Sequence, residues 1–149
     1  MFEKLKRFLQ GEPPPVASTI EDPTLGLLSW SKEEEAWLSR PEHRDIGFVF
    51  QITGTPQPDA SLVRHAADII QSKDEFVRSV HRFLAAEAAT VAGLSAFKTE
   101  IAGLKIERVS LLWPDRSNDG MIFFAGGRDH RVWRSDYISR IPKELGFDS

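Results

Sequence analysis

Residues from Asp59 to Gly103 carry helical periodicity, and strand-like runs stand on both sides of them. A helical block set between two strand blocks restricts the chain to the α+β class: an antiparallel sheet packed on one face by two main helices. The block opens on Asp59, which can cap a helix whose Leu62, Val63, Ala66, Ile69 and Ile70 repeat at helical spacing. Ser72 and Glu75 have the spacing of a capping box for a second helix, with Phe76, Val77, Val80, Phe83, Leu84, Ala88 and Val91 as its apolar stripe. Gly93 is placed to end it, and "SAFKTEIAG" reads as a short third helix with Phe97 and Ile101 one turn apart.

Upstream of the block, "IGFVFQIT" (46–53) is β-branched and aromatic and reads as a strand, closed by the breaker run "GTPQPD". Further upstream, "LGLLSW" (25–30) and "AWLSR" (36–40) flank the charged run "SKEEE". That is the pattern of a hairpin. A short helix from Lys32 to Leu38 competes with it, since Ser31 can cap it and Glu34 stands at the capping-box position. Downstream, "LKIERVSLLW" (104–113), "MIFFAG" (121–126) and "RVWRSDYISRI" (131–141) are joined by short turn-rich links, so they are expected to pair antiparallel. On the last of them, Trp133, Tyr137 and Ile141 fall on one face and Arg134, Asp136, Ile138 and Arg140 on the other. The tail "PKELGFDS" reads as irregular.

The chain divides into residues 1–15 and a single α+β domain over 16–149. In "MFEKLKRFLQGEPPP", Phe2, Leu5, Phe8 and Leu9 share one helical face and Lys4, Lys6 and Arg7 lie off it. An amphipathic basic helix of this kind can dock on its own domain, on a partner or weakly on a membrane surface. Gly11 and Pro13 to Pro15 end it and make a stiff spacer. The segment lacks the apolar stretch of a signal peptide, and no run in the chain is apolar for long enough to span a bilayer. With 149 residues, no cysteine and a formal charge of -3, thiol chemistry and cysteine metal sites are excluded, and a general nucleic-acid binder is disfavoured. A cytoplasmic, reducing compartment is expected.

Candidate chemistry gathers in "PDRSNDGMIFFAGGRDHRVW" (114–133). Asp115, Ser117 and Asp119 with Gly120 resemble the start of a calcium loop, making Asp115 and Asp119 the candidate metal ligands. The twelfth position, which should carry a bidentate glutamate, is Gly126, and the flanks are strands, so "SNDG" is better read as a turn. His130 beside Asp129 is the candidate catalytic pair, in a glycine-rich turn that holds no known nucleophile motif. His65 and Asp68 stand at i, i+3, two metal ligands lacking a third. Glu87 falls within the apolar stripe of the second helix and calls for a partner, with Arg134 or Arg140 available, or an edge position. Glu33, Glu34 and Glu35, with Trp37 beside them and Trp30 across the loop, form the candidate partner-binding surface, since aromatics near charge are common at interfaces.

"DPTLGLLSW", "DIGFVFQITG", the two-helix middle, "LSAFKTEIAGLKIERVSLLWPD" and "GMIFFAGGRDHRVWRS" together resemble a bacterial family of domains of unknown function. Its members open on a glycine-containing strand with a tryptophan and close on strands around an aspartate-glycine turn. Some relatives are linked to immunity proteins of polymorphic-toxin systems. The resemblance covers about Asp22 to Ser135 and implies a non-enzymatic protein-binding module that needs no cofactor and sequesters a toxin domain. A small hydrolase or metal-dependent enzyme using the Asp115–His130 region is the alternative, and a membrane-peripheral adaptor working through residues 2–9 is a third.

Overall fold

The structure, a computed structural model, describes residues 18–149. The amphipathic segment 2–9 and its proline spacer lie outside the described residues. The fold is α+β. One eight-stranded sheet carries its strands in chain order: β1 (Thr19–Asp22), β2 (Gly26–Ser31), β3 (Ala36–Leu38), β4 (Val49–Ile52), β5 (Lys105–Leu111), β6 (Gly120–Ala125), β7 (Val132–Ile138) and β8 (Ile141–Asp148). Between β4 and β5 run α1 (Ala60–Gln71), α2 (Lys73–Thr90), a 3-10 turn (Ala92–Phe97) and α3 (Lys98–Ala102).

The sheet departs from the all-antiparallel expectation at one place. β4 and β5 pair in parallel, from Val49↔Arg108 to Ile52↔Leu111, and every other neighbouring pair is antiparallel. The reason is the helical block itself. A crossover through helices returns the chain to the end of the sheet where β4 began, so β5 runs in the same direction.

Side chains on one face fill the core in continuous rows. Trp37, Ile52 and Leu111 are register partners, as are Phe50, Val109, Ile122, Ser135 and Leu145, and Phe124, Trp133 and Phe147. Leu62, Ala66 and Ile69 of α1 and Phe76, Val80, Leu84 and Ala88 of α2 join the same buried cluster, as the apolar stripes require. Asp59 caps α1 as expected, accepting from the backbone N–H of Ser61 and Leu62 at 3.1 and 3.2 Å.

Four expectations need correction. Ser72 stands at the start of α2 without capping it. Its hydroxyl donates back to the Asp68 carbonyl at 3.0 Å, because α1 and α2 abut there and the last turn of α1 needs that donor. "SAFKTEIAG" begins as the 3-10 turn and becomes α-helical only at Lys98. "PKELGFDS" is strand: β8 pairs with β7 from Val132↔Asp148 to Ile138↔Ile141. Ile141 does not share the inward face of Trp133 and Tyr137. The chain reverses at Ser139 and Arg140, both at positive φ, and leaves Ile141 at the exposed start of β8. Around "SKEEE" the hairpin forms and the competing helix does not, with Trp30 opposite Trp37 and their rings edge-to-face at 5.4 Å.

Candidate binding surface

The side chains that alternate with the core rows point to the other face of the sheet. Register pairing runs Thr19, Ser29, Leu38, Gln51, Ser110, Met121, Asp136 and Lys143 from one edge to the other, and beside it Val49, Arg108, Phe123 and Arg134. Leu27, Leu38, Val49, Met121 and Phe123 are half-buried on this outer face. None of them belongs to the core cluster or to the hydrophobic residues packed against it. Among the described residues, both long helices bury their apolar stripes on the opposite face.

The middle of the outer face is wired. Ser110, fully buried, donates to Gln51 Oε1 at 2.7 Å, and Gln51 Nε2 donates to Glu34 Oε2 at 3.3 Å. Arg108 Nη1 lies 3.8 Å from Glu34 Oε1, and its guanidinium covers the Phe123 ring at 4.4 Å. The Arg108 Nε is buried without a hydrogen-bond partner among the described residues. The hairpin tip therefore folds Glu34 back over the parallel pair β4–β5, at the border between its acidic loop and an apolar patch.

This geometry revises the acidic surface. Glu33, Glu34 and Glu35 are exposed; Glu34 reaches Gln51 and Arg108 in the middle of the sheet, Glu33 accepts from Ser31 at the end of β2, and Glu35 sits at φ 51 in the tight turn. Trp37 is not available to a partner. It is fully buried, and its Nε1 donates to the Gly54 carbonyl at 2.8 Å. Trp30 is the half-buried member of the pair. An inward position follows from the register, because Trp37 faces Ile52.

The two halves of the 114–133 stretch do not converge. Asp115 and Asp119 precede β6 while Asp129 and His130 follow it, and six strand residues separate them by about 20 Å. Asp119 accepts from the Ser139 N–H at 2.9 Å, and Asn118 accepts from Arg140 Nε at 2.8 Å through its side chain, so this link is a brace for the β7–β8 turn. Asp115 is exposed. Asp129 and His130 are exposed at positive φ, 54° and 64°, as turn residues. Among the described residues no group of three or more histidines and carboxylates is placed to hold a metal ion.

His65 is also a structural residue. It is buried, its Nδ1 donates to the Ser117 carbonyl at 2.5 Å, and its Nε2 faces the Tyr137 hydroxyl at 3.3 Å. Since the carbonyl can only accept, the proton is on Nδ1 and Nε2 accepts from Tyr137. Burial holds its pKa below the ordinary value of 6.5 and pushes Tyr137 up to about 12. Asp68 pairs with Arg140 at 3.1 Å, not with His65.

Glu87 takes a half-buried position with a backbone partner and pairs with neither arginine. It accepts from the Leu145 N–H at 3.1 Å, while Arg134 pairs with Asp148 and Arg140 with Asp68. The buried carboxylate is Glu100, 5% exposed. It accepts from Arg131 on both oxygens, from the Arg128 N–H at 3.0 Å and from the Trp133 indole. The Arg131 hydrogen bonds hold its pKa down at about 2. The signal that marks it is Phe97 and Ile101, which turn one side of α3 inward and carry Glu100 with them. No family model matches the chain, and neither a curated protein nor a solved structure matches it.

Proposed function

We propose that the protein is a non-enzymatic protein-binding module, an immunity-like protein of a bacterial toxin system, which docks its partner on the outer face of the sheet. One observation carries this reading. Among the described residues helices cover one face only, and the other presents half-buried Leu38, Val49, Met121 and Phe123 beside an acidic hairpin tip. An apolar centre with a charged rim is the composition of a protein interface. The glutamates of the tip select a partner with a basic surface and speed its approach. The resemblance across Asp22 to Ser135 adds the toxin system, and a chain without cysteine suits a reducing cytoplasm.

The test is site-specific photocrosslinking in the source cells. A benzophenone side chain replaces Phe123 in one variant and Arg78, exposed on α2, in another. A single adduct from position 123, absent from position 78 and lost on Glu33→Lys with Glu35→Lys, is expected. No adduct at position 123, or the same adducts at both, overturns the reading.

A further inference from the structure

We infer that a cleft at the entry to the parallel pair binds a small carboxylate with an apolar body, whose carboxyl group is held by Lys105 and His81. The cleft lies beside α2, on the face away from the docking patch, so the inference does not rest on the docking reading.

The cleft follows from the topology. β4 and β5 are in register from Val49↔Arg108 onward, yet β5 already begins at Lys105, so Lys105, Ile106 and Glu107 have no register partner on β4. Before that point the two chains arrive from different elements, β4 from a loop through Gly47 and β5 from α3 through Gly103, and they stand apart. The space between them is about 340 Å³, within the range of small-molecule sites. Ile46, Phe48, Leu104 and Ile106 of the core wall it, and α2 closes one side with Val77 and His81, one turn apart. Two glycines leave it unobstructed. A Cβ on Gly47 would meet nothing within 4 Å, and one on Gly103 would meet the Glu100 carbonyl at 3.6 Å, an ordinary contact.

Charge selects the ligand. The chain holds 22 acidic residues against 19 lysines and arginines, yet no carboxylate lines this cleft, and its ionisable side chains are Lys105 and His81. The clefts at the corner of α1 and α2 differ in this respect. Asp68 and Glu75 line one of them beside Arg140, and Asp74 and Glu75 line the other beside Arg44 and Lys73. A lysine ammonium and an imidazole N–H suit a single negative charge. A phosphate carries more charge and more acceptor oxygens than two side chains satisfy, and its desolvation against apolar walls would go uncompensated. Those walls take a short acyl chain or an aryl ring instead.

The test is titration of the isotope-labelled full chain with octanoate, phenylacetate and the uncharged 1-octanol, followed by amide and methyl shifts. Saturable shifts with at least one acid are expected at the amides of Gly47, Gly103 and Lys105 and at the methyls of Leu104 and Ile106. The tighter of the two acids tells whether the apolar body is acyl or aryl. Lys105→Glu, at an exposed position, should weaken the acid roughly tenfold and leave 1-octanol unchanged. Lys143→Glu, the same change on the outer face, should alter neither. Ala102→Phe, at the exposed end of α3, should fill the cleft and abolish binding in a chain whose circular dichroism is unchanged. No saturable shift with either acid, equal weakening by the two lysine variants, retained binding in folded Ala102→Phe, or shifts centred on Met121 and Phe123 would each overturn the inference. Photocrosslinking at position 123 does not sense the cleft, so its failure would bear on the docking reading alone.

Discussion

Glu100 is the residue on which the far end of the sheet depends. Its two oxygens hold the Arg128–Arg131 loop and the Trp133 indole, and the Arg131 guanidinium lies over the Phe97 and Phe147 rings at 4.8 and 5.7 Å. Glu100→Gln replaces an acceptor with a donor facing other donors, and a drop in Tm on the order of 5 °C is expected by calorimetry at neutral pH. The same residue sets an acid limit. A carboxylate whose pKa falls from 4.5 to about 2 on folding contributes stability that is complete above 4.5 and is lost as pH falls towards 2. His65 acts at higher pH. Its folded pKa lies below 6.5, so the unfolded chain binds the proton first, and stability declines as pH falls below 6.5. Urea midpoints measured across pH should therefore drop in two stages. Glu100→Gln should flatten the lower stage and His65→Gln the upper. A profile that His65→Gln leaves unchanged would assign the upper stage to other groups. Neither residue touches the outer face, so photocrosslinking at position 123 should survive both changes.

At the scale of elements, the contrast between two helix starts separates what spacing shows from what packing decides. Asp59 and Ser72 both satisfy the capping pattern. Asp59 caps α1, and Ser72 spends its hydroxyl on the preceding helix. Asp59→Ala should cost about 1 kcal/mol in urea denaturation, and Ser72→Ala less than half of that. Equal losses would mean that Ser72 serves α2 after all. Strands covered on one face were legible in the sequence, since Trp30, Trp37, Phe50 and Ile122 sit in β-branched and aromatic runs. The edge strands were not. β1 has the short charged sequence "TIED", and β8 carries Pro142, Lys143, Glu144 at φ 53 and Gly146. Those residues discourage pairing with other chains, and by doing so they erase the alternation that marks a strand. The outer face was hidden for a related reason: Leu38, Val49, Met121 and Phe123 come from three strands and meet only through register. Gly120 shows how tight that register is. A Cβ there would collide with the Ser110 carbonyl, so Gly120→Ala should lose about 1–3 kcal/mol.

The whole molecule joins two antiparallel halves, β1–β4 and β5–β8, through one parallel pair. Four strand residues on each side would be a weak seam if backbone bonds alone closed it. Side chains bridge it instead. Thr53 Oγ1 donates to the Leu112 carbonyl at 3.1 Å, Ser110 reaches Gln51, and Glu34 and Arg108 meet across the outer face. Beneath the seam, α1 and α2 fill one core with residues of both halves: Leu25, Trp37 and Phe50 from one, Val109, Ile122 and Tyr137 from the other. Phe76 of α2 shows the linkage in a single side chain, 6.0 Å from Phe48 and stacked at 5.9 Å on Tyr137. Neither half keeps a closed core when the other opens, because each loses the helices along with its neighbour. Native-state hydrogen exchange should therefore give the slowest amides of β2–β4 and of β5–β7 one common free energy, equal to the global value from denaturation. A lower plateau confined to β2–β4 would show that the seam opens by itself. It would also make the outer face, which spans that seam, a surface whose shape varies with the opening. A common plateau makes it one rigid platform, with the acidic tip held at a fixed distance from Phe123.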